Sequence, residues 1–254
     1  MDLATVFGII LAFGMVVGPI LLANDLVSFV DLPSFLIVVF GSLGSVLIGF
    51  TFSDVVGILK VTKNAFFSKP QDMEKLIDNM VNLGEKARRE GILALEHEMA
   101  RVDDLFLKKA MQLAVDGNEP EVIENVMGVE IDRIEERHEI GRSMYDSLAA
   151  FGPAYGMLGT VMGLIQMLKS LDDPSSIGQG MALCLITTFY GSILANVFGI
   201  PISNKLKRRS KEEVLIKNMI VFGVLSIHSG DNPRITRDKL ETFVPPKFRK
   251  GGNK

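Results

Sequence analysis

Polar and apolar positions along this chain fall into two patterns. Residues 3–23, 33–52, 148–168 and 177–202 carry no charged side chain, and these runs hold 21, 20, 21 and 26 residues. About 20 helical residues cross roughly 30 Å of hydrocarbon, so each run predicts a membrane-spanning helix. Elsewhere the pattern is amphipathic. Met73, Leu76, Ile77 and Met80, then Ile92, Leu95, Met99 and Val102, recur at helical spacing. Asp116-Gly-Asn-Glu-Pro120 reads as a turn. Val122, Ile123, Val126 and Met127 open a further helix that Ile131, Ile134 and His138 extend, with Arg133, Glu135, Glu136, Arg137 and Glu139 as its charged face. Residues 210–228 predict a tail helix, closed by Asp231-Asn-Pro-Arg234, and Pro245-Pro246 begins an irregular end. Residues 54–69 place Val55, Ile58, Leu59, Thr62 and Phe66 on one face, with Lys60, Lys63 and Lys69 as cationic contacts. That pattern suits an interfacial helix on the inner leaflet or a packed connector equally well.

The expected fold is an all-α membrane protein. Four transmembrane helices form two hairpins, 1–52 and 148–202. An α-helical cytoplasmic domain, 53–147, is inserted between helices 2 and 3, and a cytoplasmic helix and tail, 203–254, follow helix 4. The first run could instead be a signal peptide, but only Asp2 precedes it and no small-x-small cleavage site follows, so a retained helix is expected.

Charge gives the orientation. Residues 53–147 hold 13 Lys and Arg, residues 203–254 hold 13 more, and the short connections 24–32 and 169–176 hold only Lys169. The positive-inside rule then puts both termini and the large loop in the cytoplasm. Composition agrees: 48% hydrophobic residues is high for a soluble domain, whereas 22% charged is too many for a wholly buried membrane protein. A net charge of −3 argues against a nucleic-acid binder.

Little in the sequence suggests covalent chemistry, and an enzyme is not expected. Cys184 is the only cysteine, which rules out an internal disulfide and a CxxC metal site. His97, His138 and His228 lack ligand spacing. The Gly-x-x-Gly-Thr of residues 156–160 lacks the lysine of a phosphate-binding loop.

The glycines and threonines say more. Gly152, Gly156, Gly159 and Gly163 make small-residue rows in helix 3, and Gly180, Gly191, Ala195 and Gly199 do so in helix 4. Such rows let helices approach closely within a membrane. Helices 1 and 2 are bulkier and suit lipid, although Gly41 and Gly44 interrupt them. Thr160 and the pair Thr187-Thr188 fall at similar depth in an antiparallel hairpin. Gly156, Thr160 and Gly163 share one expected face, and Cys184, Thr188 and Gly191 or Ser192 another. Each hydroxyl could simply bond to its preceding turn, or the three could line a polar path. No Asp, Glu, Lys, Arg or His lies at mid-depth in any run. Threonine oxygens can ligate a hard cation but do not titrate near neutrality, so an ion path needs a carboxylate from another subunit.

Gly156-Met-Leu-Gly-Thr-Val-Met-Gly-Leu164, Leu185-Ile-Thr-Thr-Phe-Tyr-Gly191 and Ala87-Arg-Arg-Glu-Gly-Ile-Leu-Ala-Leu-Glu96 resemble the MotA/PomA flagellar stator family. Val115-Asp-Gly117, Gly223-Val-Leu-Ser-Ile-His-Ser-Gly230 and the four-helix layout extend the resemblance over almost the whole chain. It implies an inner-membrane homopentamer around a MotB/PomB-type partner that supplies the ion-binding aspartate. Ion flow would turn the pentamer against the rotor protein FliG, with no cofactor beyond the transported ion. The resemblance maps rotor contacts onto Arg88, Arg89, Glu96 and Glu98, and hinges onto Pro153 and Pro201. The interval from Arg88 to Glu96, just over two helical turns, suggests one shared face. Thr160 and Thr187 resemble the sodium-driven branch, whereas Thr188 fits both branches. Na⁺ is therefore the expected ion, with H⁺ and a TolQ/ExbB-like subunit as alternatives.

Overall fold

A computed structural model describes residues 3–67, 72–99, 102, 104–169 and 174–246. All regular structure among them is helical, and they form two compact units. One comprises residues 1–69 and 138–209, the other residues 70–137 and 210–254.

The first unit holds the apolar helices. Helix α1 spans Leu3–Leu22 and exposes Phe7, Ile10, Met15 and Leu22. Helix α2 covers 32–49, with a π-helical stretch at Leu36–Phe40. Asp31 caps it by accepting from the Ser34 backbone amide at 2.8 Å. Its buried face is Ser34, Val38, Ser42 and Val46, and Gly41 lies under the ring of Tyr155. The expected span 33–52 ends early because Thr51 and Asp54 make a capping box. The Asp54 amide donates to Thr51 Oγ1 and the Thr51 amide to Asp54 Oδ2, both at 3.3 Å. This starts helix α3, Phe52–Phe67, so Phe52 belongs there.

Helix α3 is a packed connector along its described face. Val61 sits against Gly141, and Thr62 bonds to the Tyr145 hydroxyl while donating to the Ile58 carbonyl at 2.7 Å. The side chains of Leu59, Lys60 and Phe66, and all of Lys69, lie outside the described residues. So do Asp172 and Asp173 of the expected outer connection, and residues 247–254.

Two long helices supply both units. Helix α7, Pro120–Lys169, has 50 residues, and helix α8 covers 174–228 with a π-helical stretch at Leu194–Gly199. Both helices therefore run without a break through the expected domain boundaries at 148 and 202. Charge stops near those positions, and the helices run on through Gly152-Pro153 and Pro201. Pro153 is accommodated inside α7. Pro201 has no N–H for the carbonyl one turn back, and just before it the Ile200 amide bonds five residues back, to the Ala195 carbonyl. Three described stretches are long and apolar enough to cross a membrane, Val27–Gly49, within Pro120–Lys169 and within Ile177–His228. The apolar stretch Val6–Leu22 is shorter.

In the second unit, α4 (Met73–Glu90), α5 (Glu96–Met99), α6 (Leu105–Val115), parts of α7 and α8, and α9 (Pro233–Glu241) surround one core. Met80, Leu95, Met111, Ile123, Met127, Met219, Ile220 and Leu240 are fully buried in it. Asp104 caps α6 through the Phe106 and Leu107 amides at 2.9 and 3.2 Å, and receives Lys217 at 3.3 Å. Burial opposes ionisation of Asp104, but the Lys217 ammonium and the two amides outweigh it and lower its pKa. Asp104→Ala removes a cap and strands Lys217, and is expected to cost about 1–2 kcal/mol at neutral pH. A depressed carboxylate stabilises above its unfolded pKa and stops doing so as pH falls through the folded value. The difference in melting temperature between wild type and D104A in detergent should therefore narrow in strong acid. A constant difference across that range would remove the ionic part of the argument.

Candidate functional site

Helices α7 and α8 make an antiparallel hairpin along their glycines. A Cβ built on Gly152 would lie 3.0 Å from the Gly191 carbonyl oxygen, and one on Gly156 3.0 Å from that of Thr187. At Gly163 it would meet the Cys184 sulfur and the Gly180 carbonyl oxygen, each at 2.6 Å. Gly152, Gly156, Gly159 and Gly163 are spaced by four, three and four residues and so share one face, where the backbones close up. Gly199 continues the contact against Ala149.

This close approach separates the three threonines. Thr187 points into the seam, fully buried, with its Cβ and methyl over Gly159. Its hydroxyl donates within its own helix, to the carbonyls of Leu183 at 2.8 Å and Cys184 at 3.2 Å. Thr188 lies on the exposed edge and Thr160 is half-buried beside it. Their hydroxyls bond to each other at 2.9 Å, and both reach the Cys184 carbonyl, at 3.3 Å from Thr160 and 3.0 Å from Thr188. The Cys184 thiol donates to the Thr160 carbonyl at 3.1 Å. The expected faces are thus shifted. Gly156, Gly159 and Gly163 face α8, Thr160 stands at their edge, and Cys184 shares the seam with Thr187 and Gly191 while Thr188 stands outside it. Residues 100° apart cannot share a face, and the seam follows the glycines.

A second polar system joins α2 to the hairpin. Tyr155 bonds Ser45 at 2.8 Å, and Tyr190 donates to the Phe29 carbonyl at 2.6 Å while accepting from the Asp31 amide at 3.2 Å. Sequence reasoning passed over these tyrosines, although Tyr155 and Tyr190 are the only tyrosines in the uncharged runs.

The charged candidates lie in the second unit. Arg88 and Arg89 are exposed in the last turn of α4, where cations suit the helix dipole. The expected helical face shared with Glu96 does not exist. Gly91 adopts φ +86°, a left-handed conformation that glycine tolerates, and a 3₁₀ turn, Ile92–Leu95, intervenes. Glu96 is exposed, whereas Glu98 is half-buried and accepts from Lys86 at 2.6 Å. Beside the arginines, Glu85, Asn232, Pro233 and Arg234 complete a groove of about 530 Å³. Arg237 holds α9 there by donating to Asp78 at 2.7 Å. Sequence reasoning missed Arg234 because it read the Asn-Pro-Arg segment as a helix end. Asn232 is in fact the N-cap of α9, accepting from the Arg234 amide at 3.0 Å.

Among the described residues no group of His, Cys, Asp and Glu is placed to hold a metal ion. Fold and seam together define an all-helical subunit of membrane type whose polar groups are hydroxyls and carbonyls. Residues 98–219 match the MotA/TolQ/ExbB proton channel family. The chain is 42% identical to Motility protein A of Borreliella burgdorferi over 253 residues, covering 98% of this chain and 96% of the relative. It is 39% identical to Chemotaxis protein PomA of Vibrio alginolyticus, covering 96% of each. Its fold is similar to the flagellar MotAB stator complex from Bacillus subtilis, with a TM-score of 0.89 and 33% identity over 98% of each chain. C. jejuni MotAB is also similar, with a TM-score of 0.89, 30% identity and 96% of each chain covered. The chain belongs to the MotA/TolQ/ExbB proton channel family, a family of ion-channel subunits rather than enzymes.

Proposed function

We propose that this chain is the ion-conducting and torque-generating subunit of a flagellar stator, with Na⁺ as the coupling ion. The observation that carries the reading is the Thr160–Thr188 hydroxyl pair, converging on the Cys184 carbonyl at the open edge of a hairpin whose uncharged runs hold no Asp, Glu, Lys, Arg or His. Such oxygens can replace part of a cation's hydration shell, but the site lacks a counter-charge. A MotB/PomB-type partner with one membrane helix supplies it as an aspartate. The MotAB complexes similar to this chain support that pairing.

In this reading the chain crosses the inner membrane four times, through 3–23, 33–52, 148–168 and 177–202, with both termini in the cytoplasm. Five copies surround the partner helices. Pro153 and Pro201 are points where the cytoplasmic ends of the hairpin flex, since each leaves a carbonyl without its helical donor. Arg88, Arg89, Glu96 and Glu98 contact the rotor protein FliG.

The family's description as proton channels favours a second reading, a proton-driven stator in which the hydroxyls hold water. The test is swimming speed against external Na⁺, at fixed pH and membrane potential, in a stator-deleted host carrying this chain and its partner. Speed should rise with Na⁺ and saturate. Speed indifferent to Na⁺ but sensitive to pH would establish the proton reading instead.

A further inference from the structure

We infer that Tyr145 and Asp146 of α7 are positioning residues that tie α3 and α8 into one collar, which makes the three helices move together when the hairpin bends. The inference rests on the stator reading above. The chain passes between the two units at 69–70, 137–138 and 209–210, beyond the end of α3, within α7 and within α8. Consecutive residues of α7, about 100° apart around the helix, reach the other two helices. Tyr145 meets α3. Thr62 has one hydroxyl proton, given to the Ile58 carbonyl at 2.7 Å, so in its bond with Tyr145 the phenol donates. One turn earlier Gly141 lets α3 in, since a Cβ there would lie 3.0 Å from Val61 Cγ1. Asp146 meets α8. One of its carboxylate oxygens accepts from the Ser203 hydroxyl at 2.5 Å, and the other from Arg142 Nη1 at 2.9 Å. Arg142 is held in turn by Glu139. Ser203 is only 3% exposed, so water is a poor substitute for Asp146 as its acceptor.

The place of the two ties decides their use. The close packing of α7 on α8 continues as far as Gly199 against Ala149. Pro201 follows directly on the π-helical stretch Leu194–Gly199, so the backbone of α8 is least supported there. Just beyond, Ser203 is bonded to α7. A bend of α8 at Pro201 therefore takes α7 with it, and the Tyr145–Thr62 bond takes α3. Without the ties α8 swings alone, and an ion's passage moves one connection between the units in place of three. Thr62, Tyr145, Asp146 and Ser203 all lie outside the uncharged runs, so the ions do not pass them within the membrane. Loss of the ties lowers the work done per ion and leaves the number of ions unchanged.

Y145F and S203A each remove one tie and keep the side-chain shape. They are made singly and together in the full chain, with D146A and D146A/S203A alongside, and expressed with the partner in a stator-deleted host. Torque on tethered cells is divided by flux of the coupling ion through the same complexes in vesicles, with complex abundance followed by co-purification. Each single variant should lower torque per ion about threefold and Y145F/S203A about tenfold, with flux within about twofold of wild type. D146A/S203A should be no worse than D146A, because the two residues share one tie. S143A is the control and should match wild type, since the Ser143 hydroxyl donates only to Ile140 of its own helix, at 2.9 Å. Wild-type torque per ion in Y145F/S203A overturns the inference. Parallel loss of torque and flux also overturns it and leaves the two bonds a purely structural role. A charge reversal on the rotor that restores torque to Y145F/S203A would move the defect to the rotor contact and overturn it as well. Should Y145F fail to assemble, S203A and D146A/S203A decide. Absence of both torque and flux in the unsubstituted complex would instead sink the stator reading.

Discussion

Replacing Gly163 with leucine is expected to abolish the folded hairpin, whereas leucine at Gly178 is expected to be tolerated. Both glycines lie in apolar helices, and Gly→Leu raises intrinsic helix propensity at both by somewhat under about 1 kcal/mol. Their surroundings differ. At Gly163 even a Cβ would lie 2.6 Å from the Gly180 carbonyl oxygen and 2.6 Å from the Cys184 sulfur, before any further leucine atom is placed. The carbonyl belongs to helix backbone and cannot rotate aside, so α7 and α8 must separate. Separation also breaks the bond from the Cys184 thiol to the Thr160 carbonyl and parts Thr160 from Thr188. Overpacking a tight core typically costs about 1–3 kcal/mol, and a backbone clash exceeds that range. At Gly178 nothing lies within 4 Å of a built Cβ. Yield of monodisperse protein in mild detergent, with its melting temperature, checks the pair. Equal behaviour of the two variants would show that the glycine seam does not hold the hairpin.

The seam was legible in the sequence because small residues at three- and four-residue spacing have few other uses in an apolar helix. Its consequence was not. Placing three threonines at one depth requires only helix length, but deciding which of Thr187 and Thr188 enters the seam requires its rotation. That rotation is set by Gly159 and Gly163 against Cys184, a long-range fit that no spacing within one helix reveals. The helix ends show the same division. Thr51-x-x-Asp54 and Asn232-Pro are local signals with a local mechanism, yet the absence of charge through Phe52 outranks the first and places Phe52 in the wrong helix, while reading Asn232-Pro as a helix end hides Arg234. The continuity of α7 and α8 past 148 and 202 was also within reach. Amphipathic periodicity runs into the uncharged stretches without a turn residue between, and proline in a helix supported by neighbours need not end it. The face shared by Arg88 and Glu96 failed for a different reason. It assumed one helix across Gly91, and glycine's tolerance of positive φ is a permission that sequence shows only as a possibility. The family resemblance fared better than that geometry, because it depends on motifs and not on an unbroken helix.

Arg88→Glu is expected to remove most of the torque while leaving the protein folded and conducting. Arg88 is exposed at the C-terminal end of α4 and lines the open groove with Arg89 and Arg234, so it presents charge outward. Exposed charges contribute little to stability, about 0–1 kcal/mol each, although an acidic residue at a helix C-terminus adds a few tenths more cost. The fold should tolerate the change. The proposed rotor contact should not, because reversal would turn attraction toward an acidic partner surface into repulsion, and such fields govern both the rate and the salt sensitivity of encounter. Glu96→Arg is the clean counterpart on the anionic side, since Glu96 is also exposed. Glu98 is a poorer probe, because it is half-buried against Lys86 and its reversal would also disturb the turn after Gly91. The decisive comparison is torque on a tethered cell against flux of the coupling ion through the same complexes reconstituted in vesicles. R88E should lose torque by about tenfold with flux within about twofold of wild type, and a complementary reversal on the rotor should restore part of the torque. Parallel loss of torque and flux would indicate a folding defect, and wild-type torque in both R88E and E96R would place the rotor contact on another surface of this unit.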